Sequence, residues 1–105
     1  MNNSNDPESG PEIDRVIHEP SRLRIMAQLY VVESADFIFL MNQLGLTWGN
    51  LSSHMSKLEE AEYIEVQKEF LGKKPHTILK LTLKGREAFM KYRNAIEKVL
   101  KDIPS

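Results

Sequence analysis

Apolar positions along the chain recur first at helical spacing and later at strand spacing. Leu23, Met26, Ala27 and Tyr30 follow Pro20, whose missing N–H suits a first helical turn. They predict a helix over about 20–33, with Glu19 a weak candidate for its cap. Ser34, Ala35 and Asp36 break the pattern. Phe37 to Met41 is an apolar run that fits a buried strand or a short helix. Gly45 suits a left-handed stop, which favours a helix over 37–44. Thr47 is a good N-cap for a helix of about 48–61, with Leu51, Met55 and Leu58 as its buried face. From Ile64 to Phe70, β-branched and aromatic residues alternate with Glu, Gln and Lys, which predicts a strand. Leu71 to Pro75 reads as a turn and His76 to Leu81 as a second strand. Thr82 can cap a last helix of about 83–102. Along it Phe89, Tyr92, Ile96, Val99 and Ile103 form a seam suited to packing on another helix.

The order is helix, short helix, capped helix, hairpin, long helix. Two helices joined by a tight turn and followed by a hairpin predict a mainly α fold with a small β-hairpin, an α+β winged helix-turn-helix. Residues 1–12, rich in Asn, Ser, Pro and Gly, are expected to be a disordered acidic and polar tail. Residues 13–105 then form the folded domain, and no internal repeat is visible.

The helix after Thr47 carries the candidate chemistry. Opposite its buried face lie Asn50, Ser53, His54 and Lys57, flanked by Ser52 and Ser56. A helix entering a DNA groove needs slim, non-acidic side chains with donors and acceptors for base edges. Asn suits adenine, Ser is versatile, and Lys reaches guanine or phosphate. The charge order points the same way. Glu59, Glu60 and Glu62 crowd the end where the helix dipole disfavours acids, and the first turn has none. A phosphate at the N-terminus would fill that place, and Gly49 would let a sugar-phosphate backbone approach. The bland alternative is an exposed helix with arbitrary polar residues; the hairpin that follows favours DNA. At the hairpin tip Lys73 and Lys74 would neutralise phosphates or enter the minor groove, although turn lysines also serve solubility alone. Trp48 either packs on the short helix or stacks near the DNA backbone. His18, His54 and His76 are scattered, with no carboxylate at ligand spacing, so no metal site or other cofactor is expected. His54 reads as a polar contact on the exposed face.

Charge changes this picture less than its distribution does. The net charge of the 105 residues is -1, but residues 1–19 sum to -4 and residues 68–101 to +7. A basic half can dock an anionic partner or be an ordinary solvated Lys/Glu surface. With no cysteine, a disulfide scaffold, thiolate metal sites and a Cys nucleophile are excluded. No apolar run is long enough to span a bilayer, and the polar, acidic start is no secretory signal. A cytoplasmic protein without membrane contact is therefore expected.

Three stretches are shared with a known family. They are His18-Glu19-Pro20-Ser21-Arg22-Leu23-Arg24-Ile25-Met26, the run Leu46-Thr47-Trp48-Gly49-Asn50-Leu51-Ser52-Ser53-His54-Met55-Ser56-Lys57-Leu58-Glu59-Glu60-Ala61, and Leu81-Thr82-Leu83-Lys84-Gly85-Arg86. Over about 13–102 the chain resembles winged-helix transcriptional regulators of the MarR/ArsR-like superfamily, especially the small one-domain winged-helix DNA-binding group. The resemblance implies a homodimeric regulator that reads double-stranded DNA through two recognition helices in successive major grooves. It puts Thr47, Gly49, Asn50, Ser53, His54 and Lys57 on the DNA-facing side and Lys73 and Lys74 on the wing. Two residue-level departures stand out. Glu62 occupies a position where the family usually has Gly, and left-handed backbone there would cost roughly 1 kcal/mol. The helix starting Phe37-Ile38-Phe39 lacks the usual Ser or Thr cap, which would expose Phe39 or Met41 as a partner surface.

A dimer is also expected from the apolar surplus. Ile13, Val16 and Ile17 would complete an interface with Phe89, Tyr92, Ile96 and Val99. A small-molecule effector could sit between the dimer and DNA-binding halves. The competing class is a winged-helix protein-contact module of the transcription machinery, favoured by the Phe37 to Met41 run and the near-neutral charge. An enzyme is not expected: there is no Ser-His-acid pattern, no Gly-rich phosphate loop after a strand and no close carboxylate pair with a pocket.

Overall fold

The computed structural model describes residues 12–104. The tail expected over 1–12 lies outside them except for Glu12, which is exposed. The elements in chain order are α1 (Pro20–Val32), β1 (Ser34–Asp36), α2 (Phe37–Leu44), α3 (Trp48–Glu60), β2 (Ile64–Leu71), β3 (Lys74–Leu81) and α4 (Leu83–Lys101). Among the described residues, four helices and a three-stranded antiparallel sheet of order β1-β3-β2 make a winged helix-turn-helix.

Local chemistry sets the helix starts. Glu19 caps α1 after all, its Oε1 accepting from the Arg22 N–H at 2.8 Å. The Asp36 Oδ2 accepts from the N–H groups of Ile38 at 2.8 Å and Phe39 at 3.1 Å. So α2 is capped, which corrects the expectation of an uncapped helix: the cap is an Asp one residue before the apolar run. Thr47 and Thr82 cap α3 and α4 through Oγ1 bonds to the N–H groups of Asn50 and Gly85. Gly45 ends α2 with φ 66°, as its position suggests.

The sheet contains one strand the periodicity does not announce. Ser34 to Asp36 pairs with β3 in the register Ser34↔Lys80, Ala35↔Leu79, Asp36↔Ile78. The wing is also longer than expected. β2 and β3 pair from Ile64↔Leu81 out to Leu71↔Lys74, which leaves only Gly72 and Lys73 as the turn. Gly72 takes φ 66°, a conformation that suits glycine.

The core is one cluster drawn from every helix and from β2 and β3. Ile25, Met26, Leu29, Leu40, Leu51, Leu58 and Leu79 are fully buried. Ile17 joins them from the segment before α1, and Tyr92 from α4. This overturns part of the expected dimer surface. Ile17 and Tyr92 belong to the chain's own core, while Ile13, Val16, Phe89 and Ile96 are partly buried against it. The cause is visible at the Tyr30–Phe89 ring pair, 5.2 Å between centroids: the first half of the α4 seam is satisfied by α1. Of that seam only Val99 and Ile103 stand exposed, with Leu100 exposed beside them.

Glu62 adopts φ 66° at the corner between α3 and β2, the left-handed backbone that its place in the family pattern implies. Its neighbours hold it there. The Glu62 carbonyl accepts from Thr82 Oγ1 at 2.7 Å, and its carboxylate pairs with Lys84 at 3.1 Å.

Candidate nucleic-acid interface

Helix α3 divides its two sides sharply. Leu51 and Leu58 are buried and Met55 half-buried, whereas Gly49, Asn50, Ser53, Ser56 and Lys57 are exposed. No acid lies in the first turn, and Lys57 is the base of the last. Thr47 takes up the Asn50 backbone N–H, and the Asn50 side chain is exposed. The Ser56 hydroxyl is turned back onto the Ser52 carbonyl at 3.1 Å, so Ser53 is the freer serine.

His54 does not stand in this strip. Its side chain is 19% exposed and lies against α1 and its cap. Nδ1 is 3.1 Å from the Arg22 Nη1, which donates to it, and 3.8 Å from the Glu19 Oε1. Arg22 in turn donates through Nε to the Val16 carbonyl at 2.6 Å. The physical reason is the helix wheel: position 54 falls three after Leu51 and four before Leu58, on the flank of the apolar stripe. His54 therefore braces the helix against α1 instead of offering a free contact. Glu19 and Arg22, which sequence reasoning did not assign, are its partners.

The side chains of Thr47, Lys73 and Lys74 are exposed. Trp48 resolves its two expectations by halves. One face packs on Phe37, with centroids 4.7 Å apart, and the rest is exposed. Phe39 is exposed as expected, whereas Met41 packs partly against the core. A second unassigned pair ties the wing to the helix-turn-helix: His76 Nδ1 donates to Asp36 Oδ1 at 2.8 Å. That bond, with the α2 amides, holds the Asp36 carboxyl below its ordinary range despite an opposing effect of burial. The three histidines thus sit apart, His18 on Tyr92, His54 on Arg22 and His76 on Asp36.

A cleft of about 750 Å³ separates the segment before α1 from the first half of α4. Asp14, Arg15, Tyr63, Lys84, Lys91 and Tyr92 are among the residues lining it. In it Tyr63 donates to the Asp14 carboxylate. Burial first, and then this acceptor and its negative charge, push the Tyr63 phenol up to about 12; burial and Asp14 also raise Tyr92. A phenol raised in the folded state stabilises the fold fully below its ordinary pKa near 10, and that contribution is lost as pH climbs through about 12. We expect a spectroscopic phenolate titration of the folded protein with a late step near pH 12 that belongs to Tyr63, and a stability to denaturant that declines between pH 10 and about 12. Tyr63→Phe should remove the late step; a titration of the folded protein already complete near pH 10 would contradict the assignment.

Fold and free helix face together define a winged-helix protein of the DNA-binding type. The chain belongs to the winged helix DNA-binding domain family, whose sequence profile matches residues 21–100. An uncharacterised protein of Methanocaldococcus jannaschii is 38% identical over 89 residues, covering 85% of this chain and 97% of its own. A transcriptional regulator homologue from Pyrococcus horikoshii superposes with a TM-score of 0.80 at 28% identity, over 86% of this chain and 91% of its own. The DNA-bound structure of overoxidised AbfR matches with a TM-score of 0.70 at 19% identity, over 79% of this chain and 60% of its own, which speaks for the fold alone. The family is a DNA-binding one, and the Pyrococcus horikoshii neighbour is a transcriptional regulator homologue. Among the described residues no helix is long and apolar enough to cross a membrane.

Proposed function

We propose that the protein is a sequence-specific regulator that binds double-stranded DNA as a homodimer, with α3 in the major groove and the wing on the backbone or minor groove. The observation that carries this reading is the exposed strip of Gly49, Asn50, Ser53 and Lys57, with no acid before Glu59, set on a helix whose other side is locked into the core. Thr47 flanks the strip, and Lys73 and Lys74 supply the second contact. His54 acts by holding α3 on α1. The homodimer draws on Val99 and Ile103, the exposed end of the seam, and on Leu100 beside them. The cleft beside Asp14 and Tyr63 is the seat we assign to a small-molecule effector; its lining mixes both charges and selects no single ligand class.

The test is selection of preferred duplexes from a random pool at two salt concentrations. The expected product carries two inverted half-sites about one helical turn apart, the signature of a two-fold dimer. A single asymmetric half-site would sink the dimer, and an unenriched pool would sink the DNA reading. On the selected duplex, Lys73→Ala with Lys74→Ala should weaken binding to all sequences alike. It should also flatten the slope of log K against log salt by about 0.9 for each phosphate that is no longer neutralised.

Gly49→Ala separates a binding role from a structural one. A Cβ at Gly49 meets nothing within 4 Å. Alanine is the better helix former by up to about 1 kcal/mol, so thermal stability should hold or rise. Duplex affinity should nevertheless fall, because the methyl group occupies the space a sugar-phosphate backbone would use. Unchanged affinity would remove Gly49 from the interface.

A second reading, a protein-contact module, draws on Ile38, Phe39 and Trp48, all exposed on α2 and the start of α3. It predicts no salt-dependent duplex binding, which the same selection measures.

A further inference from the structure

Phe70, near the end of β2, is the most exposed aromatic side chain among the described residues, at 71%. The register pairs it directly with Pro75. Strand alternation fixes what shares its face. Ile64, Val66, Lys68 and Phe70 lie on one side of β2, opposite Leu81, Leu79, Thr77 and Pro75 of β3. The inner half of that face covers the core, since Ile64, Leu79 and Leu81 are buried. The outer half runs past the core and holds Lys68, Thr77, Phe70 and Pro75. Both acids of the hairpin, Glu65 and Glu69, fall on the opposite face. The apolar pair is thus edged by Lys68 on its own face and by Lys73 and Lys74 at the turn, with no carboxylate beside it on that face. The ribbon is tied to the body of the fold by the bond from His76, the residue next to Pro75, to Asp36, so that only the Phe70↔Pro75 and Leu71↔Lys74 pairs and the turn lie beyond that tie.

These features suit one occupant. Beyond the His76 tie, the pairs Phe70↔Pro75 and Leu71↔Lys74 carry the ribbon about 7 Å further at about 3.3 Å per residue, with the turn past them. A minor groove is about 7.5 Å deep and 6 Å wide, so side chains at the tip can reach its floor while the ribbon itself stays outside. Lysines at the rim favour phosphates on either side of the groove. We propose that Phe70, backed by Pro75, is an apolar wedge that the wing inserts between base pairs from the minor-groove side, unstacking one step. Insertion is easiest at flexible pyrimidine–purine steps, so Phe70 gives the protein a preference at a position that its base-reading helix never touches. The inference rests on the DNA-binding reading above and adds to it a residue, a mode and a sequence consequence.

The test uses the full chain and the selected duplex, with 2-aminopurine placed at the step under the wing. Wild type should raise the 2-aminopurine fluorescence. Phe70→Ala should abolish the rise and lower affinity roughly tenfold, within the range expected when an aromatic side chain stacked on a base is truncated. Its salt slope should stay as in wild type, because the phosphates remain neutralised. Phe70→Leu should keep most of the affinity. Replacing the pyrimidine–purine step by a stiffer one should weaken wild type and leave Phe70→Ala indifferent. Exposure at position 70 means that both variants should fold. Phe70→Ala with wild-type affinity, or a duplex that stays stacked under wild type, overturns the wedge while DNA binding stands. A wild type that binds no duplex overturns the DNA reading itself, and the wedge with it.

Discussion

Asn50→Ala is expected to erase discrimination at one base pair of the preferred duplex while leaving the fold and the salt slope as they are. Asn50 is the third residue of α3, exposed, with its N–H taken up by Thr47. A side-chain amide at that place can bond an adenine edge through both its donor and its acceptor. A good bidentate pair is worth about 1–3 kcal/mol of discrimination, or roughly 5- to 150-fold in relative affinity. The measurement is competition between the selected duplex and variants changed at each position in turn. In wild type one adenine position should be costly to change, and in Asn50→Ala the same change should be nearly free. Ser53→Ala should act at a neighbouring position and more weakly, since a hydroxyl accepts several bases. If Asn50→Ala weakens all duplexes equally, Asn50 is a backbone contact and base reading must lie elsewhere on the strip.

How far the sequence anticipates this arrangement depends on the range of the forces. Helices α1 to α4 begin and end within a residue or two of their expected places, because caps and apolar spacing are local. β1 escapes such reasoning. Ser34, Ala35 and Asp36 carry no alternation, and their strand exists only because β3 arrives from more than forty residues away. Asp36 is legible as a cap as well as a breaker, because the expected helix start at Phe37 puts a preferred N-cap residue directly before it, and looking only for Ser or Thr misses it. His54 shows the limit within a helix. The wheel allows position 54 to belong to the polar strip or to the flank of the core, and Arg22, contributed by α1, decides for the flank. The spacing from Leu51 and Leu58 holds that signal. The α4 seam fails for a related reason: periodicity says that a face is apolar, not whether its own chain or another covers it. For the candidate site, the freedom of Asn50, Ser53 and Lys57 can be anticipated, whereas the bracing of α3 by Glu19 and Arg22 cannot.

Gly85→Ala should be the most damaging small substitution in the fold, although alanine is the better helix former. Gly85 is buried in the first turn of α4, where a Cβ would collide with the Tyr63 carbonyl and meet the Leu81 Cδ1 at 2.9 Å. Leu81 could turn aside, but the Tyr63 carbonyl cannot: it is backbone, held by the Thr82 N–H at 3.1 Å. The same joint contains Glu62 in left-handed backbone and its bond from Thr82 Oγ1. To admit a methyl group, α4 must lift off the start of β2, which opens that joint and loosens the packing of Tyr92. Overpacking of this kind costs about 1–3 kcal/mol, and a rigid backbone obstacle puts Gly85→Ala near the top of that range. The propensity gain of at most about 1 kcal/mol does not offset it. For a domain of this size the melting temperature should fall by about 10 °C or more. Gly49→Ala is the control, the same change in a first turn but with open space, and it should not lower the melting temperature. Were Gly85→Ala to melt with wild type, the close seat of α4 on Tyr63 would be wrong. The base of the wing would then be free to move relative to α4, and a dimer made through α4 could not fix the spacing of the two reading helices.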